Sequence, residues 1–359
     1  MYRTCGIILI FFGLVTLTSA APFVTAVGSD GTIIRTKDGG ANWYQQNLSA
    51  DAAHRELRAV DFVDPNMGWT SGMFHFDTAH FFTTMRYTTN GGSSWRTADF
   101  ETLQQGFPVS DLDFIDANNG WLVGGGGNIW RSVDGGLSWT SHYSGEGNGF
   151  QAVVFVDNSH GWAVSDTIVR TSDGGLTWET QHRGPVNLPL LGVDFVNQSV
   201  GWAVGAGDQI LHTINGGDSW TAQLHTSTAS SLRDVVFPTP NDGWIVGAKG
   251  TILHTSDAGN SWIMQASGTT NLLNAVDFIN ESEGWAVGES GIILHTSNGG
   301  LSWLPQNSGT DRTLHDIVAV VPEINTFILA AIALAIAMSL RHRVVTLDDK
   351  VACPLVLNG

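Results

Sequence analysis

Seven segments of this chain place a hydroxyl two residues before a carboxylate or amide, with a glycine and a tryptophan behind them. They run Thr36-Asp38-Gly40-Trp43, Thr88-Asn90-Gly92-Trp95, Ser132-Asp134-Gly136-Trp139, Thr171-Asp173-Gly175-Trp178, Thr213-Asn215-Gly217-Trp220, Thr255-Asp257-Gly259-Trp262 and Thr296-Asn298-Gly300-Trp303. Such a group could accept a proton or a cation. Its plainer use is local, because Asp or Asn accepts backbone N–H bonds within its own turn while Gly takes the left-handed position. Three further patterns invite chemistry. Asp61, Asp113, Asp194 and Asp277 each precede a Phe and could ring an axial channel and hold a cation, or bond to an adjacent hairpin. Arg35, Tyr87, Arg131, Arg170, His212, His254 and His295 each precede a box hydroxyl; they could form a pH-sensitive cationic belt for an acidic partner, or pack against a neighbouring repeat. His75-x-Asp77-x-x-His80 lacks a third strong metal ligand.

Catalysis finds little support. Tyr44, Tyr87 and Tyr143 occupy framework or edge positions where a glycosidase would need a nucleophile. No Ser–His–Asp set or nucleophile elbow stands out. The expectation is a protein that is not an enzyme and carries no cofactor and no catalytic metal.

The elements that carry these residues repeat. Phe62, Phe114, Phe155, Phe195, Phe237 and Phe278 are each followed seven positions later by a Gly-Trp tryptophan: Trp69, Trp121, Trp162, Trp202, Trp244 and Trp285. Each repeat reads as four short strands at a period of about 41 residues, with no helical periodicity, which is the pattern of propeller blades. The first copy begins at Thr25-Ala26-Val27-Gly28 without a first strand, and Leu314 to Val320 supplies an extra first strand at the end. The fold class is therefore all-β: a seven-bladed β-propeller over 21–320, closed by its N- and C-terminal strands, which pairs edges otherwise left open. The second repeat is longer between Trp69 and Trp95, an extended hairpin over Ser71 to Met85 whose Phe81 and Phe82 make it a candidate partner contact. Trp130 is the one tryptophan outside the two repeat positions and is expected at the surface.

The chain has 359 residues and a net charge of −17, so nucleic acid is not an expected partner. Cys5 and Cys353 lie outside the repeats, so the propeller has no disulfide. Residues 1–20 read as a secretory signal peptide. Val321-Pro322-Glu323 precedes an apolar stretch from Phe327 to Leu340 and the basic Arg341-His342-Arg343, which reads as a C-terminal transmembrane helix within 321–343, followed by a tail over 344–359 expected to be disordered. The protein is expected to be exported and anchored at its C-terminus on the periplasmic or cell-surface side of a bacterial membrane, as a monomer.

Three resemblances follow from these motifs. The box is shared with sialidases, whose arginine triad is not matched. Val321-Pro322-Glu323 with its apolar run resembles the PEP-CTERM sorting signal, although Ile324 replaces the usual second proline and Val344 to Gly359 continues past the basic cluster. Leu273 to Phe278, Gly284 to Gly288 and Ile293 to Trp303 resemble the photosystem II stability/assembly factor family of Asp-box propellers. That resemblance implies a non-catalytic scaffold binding protein partners, membrane-protein subunits among them. The alternatives are a surface or exopolysaccharide glycan-binding protein, using Trp130 and the Phe81-Phe82 hairpin, and a sialidase-like glycosidase.

Overall fold

The computed structural model describes residues 21–46, 55–75, 81–97, 108–185, 187–223 and 231–322. Blade 1 takes β1 (Phe23–Gly28), β2 (Ile33–Thr36) and β3 (Tyr44–Gln45) from the start of the chain. Blade 2 is β4 (Arg55–Phe62), β5 (Gly68–His75), β6 (Phe81–Thr88) and β7 (Arg96–Thr97); blade 3 is β8 (Val109–Phe114), β9 (Gly120–Gly124), β10 (Asn128–Ser132) and β11 (Thr140–Tyr143). Blade 4 is β12 (Ala152–Phe155), β13 (Gly161–Val164), β14 (Thr167–Thr171) and β15 (Glu179–Arg183); blade 5 is β16 (Leu190–Phe195), β17 (Gly201–Gly205), β18 (Gln209–Thr213) and β19 (Thr221–Ala222). Blade 6 is β20 (Leu232–Val236), β21 (Gly243–Gly247), β22 (Ile252–Thr255) and β23 (Ile263–Gln265); blade 7 is β24 (Leu273–Phe278), β25 (Gly284–Gly288), β26 (Ile293–Thr296) and β27 (Leu304–Gln306). The last strand, β28 (Leu314–Val320), completes blade 1 by pairing antiparallel with β1, Phe23 opposite Val320 and Ala26 opposite Ile317. It also packs against β24 on one side and β4 on the other, so the innermost strands form a closed ring. The expected seven blades and terminal closure are both observed.

The boxes are hairpin turns. In blade 1 the Thr36 hydroxyl donates to Asp38 Oδ1 at 2.6 Å and accepts the Gly40 N–H at 2.9 Å, while Asp38 Oδ1 accepts the Asn42 N–H at 2.9 Å. Blade 7 repeats the set with Thr296, Asn298, Gly300 and Ser302. These bonds satisfy the turn's own backbone, as Asx chemistry predicts.

Between blades 2 and 7, five Gly-Trp indoles each stack on the Phe of the next blade, with centroids 3.7 Å apart for Trp69–Phe114 and 3.5 Å for Trp121–Phe155. The box Trp of that next blade meets the same Phe edge-on, as in Phe155–Trp178 at 5.9 Å and 90°. The six Gly-Trp indoles are fully buried, and each of the five Trp–Phe junctions gains apolar burial and an aromatic contact of about 0.5–1.5 kcal/mol beyond area. The glycine before each of these Trp residues is obligatory for a steric reason: a Cβ on Gly201 would lie 2.4 Å from the Phe195 ring.

The closing blade departs from this plan. It has Thr25 where the others have Trp and Ala319 where they have Phe. Arg35 fills the gap toward blade 2: it is fully buried, its guanidinium lies 5.1 Å from the Phe62 ring centroid and 4.8 Å from that of Phe23, and it donates to Pro65 O at 2.8 Å. Burial lowers its pKa to about 10, so it remains charged at neutral pH and acts as a cation–π bridge.

Trp130, expected at the surface, is only 6 % exposed and packs with Trp69, Leu112 and Leu122. Its register explains this, because Trp130 follows Ile129 in β10 as Leu211 follows Ile210 in β18, and Leu211 is a core position. No helix among the described residues is long and apolar enough to cross a membrane. The expected signal peptide, the apolar segment from Phe327 to Leu340 and the tail over 344–359 lie outside the described residues.

Candidate functional site

Each innermost strand runs from one face of the ring to the other. Its Phe end meets the face that carries the boxes: Phe62 pairs with Gly68, which pairs with Thr88, where a box begins. Its opposite end opens on the axial mouth of the other face. There a cavity of about 300 Å³ is lined by one residue from every blade: Arg58, Ser110, Gln151, Leu191, Arg233, Asn274 and His315, with Leu272, Glu289 and Thr313 at the rim.

Six of these seven residues sit at a β-bulge. The strand register shifts between Leu57 and Ala59, Val109 and Asp111, Leu190 and Gly192, Leu232 and Asp234, and Leu273 and Ala275, and between the partners of Leu314 and Asp316. The residue skipped each time is the mouth residue. In blade 4, Gln151 instead precedes the first strand-paired residue, Ala152. A bulge releases one residue from the ladder and re-aims its side chain. The bulge also explains the last glycine of the Gly-Trp-Ala-Val-Gly strands, because a Cβ on Gly205 would lie 2.3 Å from Pro189 O.

Arg58 and Arg233 place positive charge at this mouth of an acidic chain, with the His315 ring beside them. Glu56 Oε1 lies 3.4 Å from Arg58 and 3.0 Å from His315 Nε2. Burial lowers the His315 pKa against the opposing pull of Glu56, so the ring favours its neutral form. Arg233 Nε is buried with no hydrogen-bond partner. Guanidinium groups lining a cavity suit a carboxylate, which they can grip in bidentate fashion.

Below the mouth, carboxylates stitch the innermost strands together. Asp61 accepts the Phe62 N–H through Oδ1 and the Phe114 N–H of the next blade through Oδ2, both at 2.7 Å. Asp113, Asp194 and Asp277 reach Phe155, Phe237 and Ala319 likewise. A second tier joins Asp111 to Val153, Asp234 to Val276, and Asp316 to Val60 across the closure. The four expected channel acids therefore bond to the neighbouring blade's innermost strand rather than to a hairpin, and three more share the task. They are partly accessible yet surrounded by protein. That burial raises Asp61 and Asp194 to about 6 and Asp111, Asp234 and Asp277 to about 7, with Asp113 and Asp316 well above the usual carboxylate range. Among the described residues no group of three or more His, Cys, Asp or Glu side chains is arranged to hold a metal ion.

The belt residues lie against indoles. His212, His254 and His295 stack on Trp202, Trp244 and Trp285 of their own blades at 4.8, 4.5 and 4.7 Å, and Arg170 lies 5.9 Å from the Trp162 ring centroid. Tyr87 and Arg131 pair in register with Trp69 and Trp121 and are half-buried. Burial lowers the pKa of all three histidines, so they are neutral at neutral pH. The backbone of Phe81 and Phe82 continues β6 opposite His75 and Phe74, giving blade 2 its expected long hairpin; the side chains of His75, Phe81 and Phe82, and all of Asp77 and His80, lie outside the described residues. Sequence reasoning missed Arg58, Arg233 and His315. Their only signal is that the position after the first-strand Leu or its equivalent varies from repeat to repeat while its neighbours recur.

Fold and site define a closed Asp-box propeller with a polar axial mouth. The family described as "Photosynthesis system II assembly factor YCF48" matches residues 145–227 and 221–307. Over those residues the chain is similar to this group of repeat propellers. A curated relative, "Photosystem II assembly lipoprotein Ycf48" of Synechococcus sp. (strain CC9902), is 28% identical over 114 residues, 32% of this chain and 31% of that protein. The match thus spans under a third of that relative's length. Among solved structures, "YCF48 bound to D1 peptide" aligns with a TM-score of 0.62 at 20% identity over 79% of this chain and 93% of that one. The GH74 xyloglucanase from Xanthomonas campestris aligns with a TM-score of 0.58 at 14% identity over 83% of this chain and 54% of that one. At such identities these two structures share the fold alone.

Proposed function

We propose that this protein is a non-catalytic, extracytoplasmic scaffold that holds a segment of a partner protein at its axial mouth. The observation that carries the reading is the set of bulges: six blades break strand register at the residue that lines the cavity, and these are the positions the repeats fill differently. A structural position would repeat, as the Trp and Phe positions do. Arg233 and Arg58, which both line the mouth, fit a carboxylate-bearing segment, such as an acidic stretch or a chain terminus. The relative bound to a D1 peptide supports peptide capture as a use of this fold, and the lipoprotein relative supports export to a membrane surface.

The alternatives have less behind them. Burial of Trp130 removes the main member of the proposed sugar platform. Glycosidase chemistry needs a free pair of carboxylates in a cleft, whereas each channel carboxylate already accepts a backbone N–H from the next blade. Affinity capture from detergent-solubilised membranes of the native host tests the proposal. The wild-type chain should retain a discrete protein that the Arg58→Ala/Arg233→Ala variant loses; equal retention by both would refute the axial assignment.

A further inference from the structure

The box face carries apolar residues that the fold does not require. Each box has two outward positions, one after its Thr or Ser and one after its second Gly. In the repeats these positions accept Lys37, Thr89, Ser256, Ser93, Asp218 or Asn260, so no packing demand fixes their type. Yet Val133, Leu137, Leu176, Ile214 and Leu301 occupy five of them, 53% to 88% exposed. Four of the five fall on the consecutive blades 3, 4 and 5. Isolated exposed apolar residues are ordinary, but several at equivalent tips of one face form a surface.

The chain leaves the ring on this same face. Val320 ends β28 opposite Phe23, and Val24 lies beside both Ala319 and Thr36, the residue that opens the first box. Val321 and Pro322 follow, and the apolar run begins at Phe327. Five residue steps span no more than about 18 Å when fully extended. That length of chain would allow a membrane entered by the run, as its composition leads one to expect, to meet the box tips.

We propose that the box face rests on a lipid bilayer, with Val133, Leu137, Leu176, Ile214 and Leu301 inserting at the interface and the axial mouth directed away from the membrane. The loops beside the tips carry Asp64, Asp116, Asp157, Glu281 and Glu283, so the surface fits zwitterionic rather than anionic headgroups.

The test uses the full chain, with Cys5→Ser and Cys353→Ser, reconstituted into phosphatidylcholine vesicles. A fluorophore is attached through Ser297→Cys on the box face or Thr270→Cys on the mouth face, and quenching by headgroup- and chain-spin-labelled lipids is recorded. Quenching should be several-fold stronger at position 297. In a Leu137→Ser/Leu176→Ser/Ile214→Ser/Leu301→Ser background it should fall toward the level at position 270, with the melting temperature unchanged. Equal quenching at both positions, undiminished quenching in the substituted background, or failure of the chain to enter vesicles would each overturn the proposal. Partner capture in detergent is independent of the tip substitutions, so the axial assignment and the membrane assignment fail separately.

Discussion

Blades 2 to 4 and blades 5 to 7 share one repeat yet lock to their neighbours differently. In the first half the Gly-Trp indole does the bonding: Trp69, Trp121 and Trp162 donate to Gly135 O, Gly174 O and Gly216 O of the next box at 2.8–2.9 Å. In the second half an edge-strand glutamine takes over. Gln265 Nε2 donates to Gly299 O at 3.0 Å while its Oε1 accepts from Trp303 Nε1 at 2.9 Å; Gln223 and Gln306 do the same toward blades 6 and 1. There the Gly-Trp indole nitrogens are buried without an acceptor, and histidine stacks on each ring. The division follows the Arg/Tyr and His arcs seen in the sequence. One carbonyl at each junction needs a donor, and the repeat has found two ways to supply it.

The largest effect should come from removing the shared part. Trp121→Ala and Trp244→Ala should each destabilise the fold by about 3–5 kcal/mol in denaturant titrations, because both indoles are fully buried. A gentler change separates the halves. Trp121→Phe leaves Gly174 O unpaired and should cost about 1–3 kcal/mol more than Trp244→Phe, whose indole has no acceptor to lose. Equal losses would erase the distinction. The latch is tested from the other side by Gln265→Ala, expected to cost about 1–3 kcal/mol. Gln181→Ala, at the equivalent place in blade 4, where Trp162 already occupies the carbonyl, should stay within about 0.5 kcal/mol.

The smallest effect is electrostatic. The channel carboxylates have folded pKa values raised above their ordinary 3.8. The stability they contribute is complete below that value and is lost as pH rises through the folded values, near 7 and above. The histidines of blades 5 to 7 act with the opposite sign, their lowered values withdrawing stability as pH falls below about 6.5. Between pH 7 and 8 the histidines are neutral in both states, so the melting temperature should fall through the carboxylates alone. Asp316→Asn should lower stability overall but flatten that slope; a slope unchanged by the substitution would remove Asp316 from the account.

Much of this was legible in the sequence because it depends on residue type at fixed spacing. The Phe and Gly-Trp tryptophan seven residues apart marked a strand, a turn and a second strand, and Leu314 to Val320 marked the closing strand at its observed bounds. Trp130 could have been placed as well by aligning it with Leu211, since equivalent ladder positions share burial. The axial mouth was harder. A bulge is set by backbone register and by a glycine on the partner strand, so the bulged residue can be Arg, Ser, Leu, Asn or His. Variation at one position among repeats was its only trace. The neighbouring-blade bonds of Asp61, Asp113, Asp194 and Asp277 were also out of reach, because sequence spacing fixes contacts within a blade and says little about those between blades.

The axial assignment is tested most directly by titrating fluorescent acidic peptides with a free C-terminal carboxylate against the wild-type chain and the Arg58→Ser/Arg233→Ser variant, with anisotropy as the readout. Saturable binding should weaken at least about tenfold, roughly 1.4 kcal/mol, in the variant and for peptides whose acidic groups are amidated. Equal affinity of both proteins, or indifference to the peptide's charge, would contradict the claim that the axial mouth is where this propeller holds its partner.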